Sequence, residues 1–151
     1  MTVSTLSQGI SQHIDTGNWN KIEDFFNHSE FAKHLGINVV LDDPKQPRCE
    51  VNEIKQFHLG GVGQGYINGV IISGLFDLVI GLTAIEYAPL GNFATTNVNI
   101  RFIKPVANNA FYAVAKTSRK VGNRVFSEAT LFNFKDEPCG YATGEIRVGI
   151  N

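Results

Sequence analysis

One run of residues constrains this chain more than any other: Gly65–Tyr87, GYINGVIISGLFDLVIGLTAIEY. Between Val70 and Ile85 it is apolar at Val70, Ile71, Ile72, Leu75, Phe76, Leu78, Val79, Ile80, Leu82, Ala84 and Ile85. An apolar run this long without an obvious polar face predicts a helix buried on most of its sides. Gly74, Asp77 and Gly81 interrupt it, and it reads as too short to cross a bilayer. Burying an unpaired carboxylate costs several kcal/mol or forces its protonation. Asp77, in the middle of the run, is therefore the residue whose presence needs a reason.

A chain of 151 residues suits one domain with a single core, and 43% hydrophobic with 18% charged residues fits a soluble protein on the apolar side. Thirteen basic against 14 acidic residues give a net charge near zero, which argues against a general nucleic-acid or membrane-surface binder. A ligand with a few phosphates needs only local cations and stays open. Cys49 and Cys139 show neither metal-ligand spacing nor a disulfide framework, so free thiols in a reducing compartment are expected. His13, His28, His34 and His58 are likewise not spaced as metal ligands, and no metal is expected. The N-terminal residues lack a basic stretch followed by an apolar one, and a cytoplasmic location is the expectation.

In chain order, residues 1–18 are polar and read as a weak helix or loose arm. Trp19, Ile22, Phe25, Phe26, Phe31 and Leu35 recur at helical spacing, with Asn18 or Asn20 as candidate caps. Residues 1–30 are expected to form a helical arm on a domain spanning 31–151. A glycine stop at Gly36 precedes a strand to Leu41, and Arg48–Ile54 alternates as a second, paired strand. The glycine-dense loop from Phe57 to Gly65 leads into the helix. Beyond Pro89 the period changes to two: Thr96, Val98, Ile100 and Phe102 form an apolar row against Thr95, Asn97, Asn99 and Arg101. Three more strands follow at Ala110–Val121, Val125–Phe134 and Gly140–Ile150, the first pair joined by the tight turn Gly122-Asn123.

Two strands, a buried helix and four closely connected strands predict an α+β fold with an antiparallel sheet. A helix apolar nearly all round needs cover on several sides, which a strongly curved sheet wrapped around it supplies. The open side of the wrap then calls for a second copy of the chain.

This order resembles the hotdog fold, and in particular the phenylacetate-pathway type of acyl-CoA thioesterase, over about Phe31 to Val148. In that family a loop enters the helix as G-x-x-H-G-G, with an acid nine residues after the His. Here the run is Gly65-Tyr66-Ile67-Asn68-Gly69-Val70, and Asp77 falls at the acidic position. A hydroxyl, a polar residue two later and a closing proline on the next strand match Thr95, Asn97 and Pro105; Phe31–Ile37 matches the family's leading segment. Asn68 stands where the family has His, Val70 where it has the second Gly, and Val62 where it often has Asn or Gln; Gln64 lies two residues further on.

The resemblance implies hydrolysis of acyl-CoA thioesters in a homodimer or dimer of dimers, with coenzyme A as part of the substrate and no separate cofactor. Asp77, its pKa raised by burial, would be the general base or the nucleophile. Thr95, implied to come from the opposite subunit, would help hold water, and amides of Gly69 and Val70 at the helix N-terminus would bind the oxyanion. Asn68 would orient the carbonyl. Gln64 and Asn97 are candidate substrate contacts, and Arg119, Lys120 and Arg124 candidate phosphate ligands. Each has a plainer reading: a structural acid, a strand threonine, solvated asparagines and charges, a hydrogen-bonding loop residue, and for His58 a surface loop histidine. Two further readings are a non-catalytic acyl-CoA or lipid-binding protein of this fold and an enoyl-CoA hydratase or dehydratase, the last disfavoured because no His stands at the helix entrance.

Overall fold

A computed structural model describes residues 10–60, 65–89 and 91–149. Residues 10–15 are helical (α1), followed by α2 (Trp19–Asn27) and α3 (Glu30–Leu35). Next come β1 (Asn38–Val40), β2 (Arg48–Val51), the central α4 (Gly69–Leu82), β3 (Phe93–Phe102), β4 (Phe111–Val121), β5 (Arg124–Asn133) and β6 (Pro138–Val148). The six strands form one antiparallel sheet in the order β1-β2-β4-β5-β6-β3. α4 contacts β2, β3, β4, β5 and β6. Only a sheet bent around the helix touches it from strands so far apart in the order, and this is the hotdog architecture.

Local chemistry sets the helix boundaries. Ser29 caps α3 by accepting the Ala32 N–H (3.2 Å), and Gly36 ends it in the left-handed conformation at φ +66°. Asn18 occupies the cap position of α2 but makes no side-chain cap bond, contrary to expectation. Instead α2 is fixed through its far end. The Asn27 carboxamide donates to Val39 O (2.9 Å) and accepts the Val39 N–H (2.7 Å), while Glu23 accepts the Leu41 N–H (2.7 Å). The helix thus covers the backbone edge of β1 that no strand covers.

α4 sits close to the sheet because β6 presents small residues to it. A Cβ on Gly144 would stand 2.6 Å from Ile80 Cγ2 and 3.0 Å from Asn97 O, so glycine is what permits the approach. Ile71, Ile72, Leu75, Phe76, Val79, Ile80 and Leu82 are buried. Beyond the helix, Thr83 Oγ1 donates to Ile80 O (2.6 Å) and lies 2.6 Å from Ser127 Oγ. With the Thr83 proton committed, Ser127 is the donor of that pair, which ties the end of α4 to β5. By length and composition Gly69–Tyr87 is apolar enough to cross a membrane, but its burial in this core assigns it to the fold, as the sequence reading expects.

The helix is not covered all round. Val70 is 76% exposed, Ser73 and Gly74 are half-buried and Asp77 is exposed. These positions form one stripe at helical spacing, open along the length of α4. β3, ten residues long, is the sheet's other margin and pairs only with β6.

Candidate active site

The N-terminus of α4 is organised by Asn68. Its N–H donates to His58 O (2.8 Å) and its side-chain Oδ1 accepts the Val70 N–H (2.8 Å). Asn68 is therefore an N-cap, and its carboxamide lies so close to Gly60 that a Cβ there would be 2.2 Å from Nδ2. Two site expectations change. The Val70 amide is occupied by the cap, and Asn68 Oδ1 is turned to its own helix. Gly69 keeps an amide with no partner among the described residues, as the first residue of a helix does.

His58 supports this arrangement from beneath. It is fully buried, correcting the surface-loop reading. Nδ1 accepts the Lys55 N–H (2.8 Å), so the ring proton is on Nε2, which donates to Leu35 O (2.6 Å). The imidazole joins the end of α3 to the loop whose His58 carbonyl holds Asn68.

Two turns further along α4, Asp77 opens onto a cleft of about 180 Å³ lined by Phe26, Leu78, Leu82, Phe93 and Thr95. Asp77 is exposed in the single protomer and has no hydrogen-bond or ion-pair partner among the described residues. The expectation of a carboxylate sunk in the core is thus corrected. The apolar run buries the opposite face of the helix, while Asp77 lies on the open stripe.

Thr95 reaches the same cleft from β3. The pairing of β3 with β6 shifts register between Thr95 and Asn97, a bulge. It brings Thr95 to the helix side with Val98 and Ile100, where Oγ1 stands 3.5 Å from the position of a Cβ on Gly81. The uninterrupted alternation read from the sequence put Thr95 in the polar row, and the resemblance put the hydroxyl in the opposite subunit. In the structure the acid and the hydroxyl line one cleft of one protomer. The apolar row switches from odd (Phe93) to even positions (Val98, Ile100, Phe102), and this change of parity is the sequence signal of the bulge.

The other candidates are not gathered there. Asn97 lines a shallow groove on the outer face of the sheet with Arg119, Phe126 and Glu145. Arg119 lies over the Phe126 ring (4.5 Å), Arg124 pairs with Glu145 (3.2 Å), and Lys120 donates to Gly122 O (2.9 Å) near the Tyr87 ring. The three cations thus have separate partners and make no common phosphate cradle in the protomer. Gln64 and Val62 lie outside the described residues. A larger concavity, about 640 Å³, is on the outer sheet face, lined by residues such as Arg48, Tyr112, Phe132 and Tyr141. Its acid, Glu128, is engaged by Lys116 (3.2 Å), whereas the smaller cleft holds an unengaged carboxylate beside a hydroxyl. Chemistry rather than volume selects the Asp77 cleft.

A curved sheet wrapped around one helix is the architecture of the class, and here an acid of that helix and a hydroxyl of the next strand line one cleft. The sequence profile of the thioesterase superfamily matches residues 64–139. The chain belongs to that superfamily. None of the curated proteins matches it. A Shewanella oneidensis protein related to the thioesterase superfamily superposes with a TM-score of 0.78 at 18% identity, covering 93% of this chain and 97% of that one. The Escherichia coli PaaI protein of the phenylacetic acid degradation operon gives 0.73 at 15% identity, with 98% and 97% covered. Zebra fish thioesterase superfamily member 2 gives 0.71 at 16% identity, with 86% and 97% covered. At these identities the likeness establishes the shared fold.

Proposed function

We propose that this protein hydrolyses acyl-CoA thioesters to the free acid and coenzyme A, in the cytoplasm, as a homodimer or dimer of dimers. The observation that carries the reading is the pairing of Asp77 and Thr95 in one cleft, the acid without a competing partner. Membership of the thioesterase superfamily supports the reaction type.

The spacing along α4 supports a site built by two copies. Gly69 and Asp77 are eight positions apart, which at 1.5 Å per residue is about 12 Å along one helix. That is too far for both to act on one carbonyl. A two-fold pairing through the free margin of β3 would set two α4 helices antiparallel, bringing the N-terminus of one toward the middle of the other. Asp77 and Thr95 of one copy would then face the Gly69 amide of the other. Exposed apolar side chains at Val70 and Phe102 lie on the surface such a pairing would cover.

In this site Asp77 takes a proton from water held with Thr95 as the water oxygen bonds to the thioester carbon. The carbonyl electron pair moves to oxygen, where the Gly69 N–H stabilises it. The intermediate collapses by breaking the carbon–sulfur bond, and the proton held by Asp77 goes to the departing thiolate. In the covalent variant, the carboxylate attacks the carbon, expels the thiolate and forms an anhydride that water then cleaves.

The test is release of free thiol from a panel of acyl-CoAs. Asp77→Asn should lower turnover by about 10²–10⁴-fold with an unchanged fold. Gly69→Pro removes the oxyanion donor at the helix position where proline is well accommodated, and should be similarly inactive. Mixing the two inactive variants should restore up to about a quarter of wild-type activity, since mixed dimers carry one intact site. Absence of turnover by the wild type on every thioester overturns the hydrolase reading; an inactive mixture from active wild type overturns the two-copy site.

A second reading, binding of acyl-CoA without turnover, draws on the capped Val70 amide, which leaves one oxyanion donor in place of two. Acyl-CoA binding by calorimetry with no thiol released would select it.

A further inference from the structure

The Asp77 cleft has three walls: Asp77, Leu78 and Leu82 from α4, Phe93 and Thr95 from β3, and Phe26 from α2. The third wall comes from outside the thioesterase-superfamily match, which begins at residue 64. It is also fixed in place. Asn27, next to Phe26, is hydrogen-bonded twice to Val39, Glu23 holds Leu41 N, and Phe25 packs edge-on against Phe26 with ring centroids 5.6 Å apart. Because α2 is anchored to the sheet on both sides of Phe26, the ring acts as a wall and not as a flap.

At about 180 Å³ the cleft is smaller than the roughly 300–1,000 Å³ of ligand pockets in general. Its lining apart from Asp77 and Thr95 is aliphatic and aromatic, so the group it suits is uncharged and apolar. Resting on the thioesterase reading above, we propose that Phe26 is the residue that limits acyl length, restricting the site to thioesters of short aliphatic acids or a single ring. An apolar pocket that accepts or refuses one methylene discriminates by about 10-fold or more. Truncating the one wall that α2 contributes should therefore move the length limit without touching the acid or the hydroxyl.

The experiment compares wild type, Phe26→Ala, Phe26→Leu and Phe26→Trp on butyryl-, hexanoyl-, phenylacetyl- and dodecanoyl-CoA. Wild type should prefer butyryl- to hexanoyl-CoA lengths and accept phenylacetyl-CoA. Phe26→Ala should raise the ratio of kcat/KM for dodecanoyl-CoA to that for butyryl-CoA by about 10-fold or more. Phe26→Trp should reject hexanoyl-CoA. Phe26→Leu, which keeps most of the packing, guards against a fold defect in the alanine variant and should shift the limit by less. A length profile identical in all four proteins, or a wild-type optimum at dodecanoyl-CoA, overturns the proposal. If no variant hydrolyses any thioester, the hydrolase reading has failed and the same series is read by calorimetry. A dodecanoyl-to-butyryl affinity ratio raised about 10-fold by Phe26→Ala then supports the wall, and an unchanged ratio overturns it.

Discussion

Thr95 and Gly81 face each other between β3 and α4, with the hydroxyl oxygen 3.5 Å from where a methyl carbon on Gly81 would stand. Phe93 would be the next neighbour at 3.9 Å, so both distances are ordinary contacts. Gly81→Ala therefore fits, and as a Gly-to-Ala change within a helix it should stabilise by up to about 1 kcal/mol. The same methyl group covers the Thr95 hydroxyl and narrows the cleft. Melting temperature should rise while, on the proposed mechanism, thioester turnover falls by about 10-fold or more, because the hydroxyl proposed to position water is masked. A variant that is more stable and equally active would show that Thr95 takes no part.

Asn68 is predicted to matter first as a cap. Asn68→Ala should lose about 1 kcal/mol of stability, and Asn68→Asp or Asn68→Ser much less. Denaturant unfolding reads this directly. Asn68→His must displace the close contact with Gly60, and should be less stable than the wild type even though it restores the family's residue.

The buried hydroxyl pair at Thr83 and Ser127 is asymmetric, because one proton of the pair is already committed to Ile80 O. Ser127→Ala leaves Thr83 with its helix bond and should cost about 1 kcal/mol. Thr83→Val leaves the Ser127 hydroxyl buried without a partner and should cost more, about 1–3 kcal/mol. Equal losses in chemical denaturation would contradict the assignment of donor and acceptor.

Glu50 is held below the ordinary carboxylate range. Burial acts to raise it, but hydrogen bonds from Asn52, Asn38 and Arg48, with the charge of Arg48, outweigh that effect. A carboxyl whose value is lower in the folded than in the unfolded chain stabilises above the unfolded value, about 4.3 for Glu. The contribution is lost as pH falls through the folded value. Melting curves across acid pH should show Glu50→Gln less stable near neutrality and less sensitive to further acidification.

Cys49 and Cys139 are both free and buried. Burial pushes the Cys49 thiol far above its usual range, with the charge of Glu50 adding to it, and burial also raises Cys139. Neither should react with a thiol reagent at pH 8 in the folded protein, and both should react on unfolding. Fast labelling of the native protein would contradict this.

Much of the fold was legible in the sequence because it rests on periodicity. The buried helix, the paired β1 and β2, and four later strands were all placed within a few residues. The site was harder to read for reasons visible at particular positions. A bulge is a backbone event, so Thr95 was assigned to the wrong face although the parity change after Phe93 marked it. The open stripe on α4 begins with Val70, which looks like core, and continues through Gly74, which carries no hydropathy signal. His58 sits in a glycine-rich loop, and nothing in its neighbours announces that both ring nitrogens are taken by backbone. The hold of Asn27 and Glu23 on β1 joins residues far apart in the chain, which local pattern cannot show.

That hold bears on how large an assembly can become. A sheet with two bare rims can polymerise without limit, each new chain offering the next a template. Here Asn27 occupies the outward peptide groups of Val39, so one rim is plugged by the chain's own helix and cannot template another strand. Among the described residues the rim left open to strand addition is β3, and two chains pairing through it would use both open rims at once. Helix α2 thereby acts as a stopper on the β1 rim of the sheet.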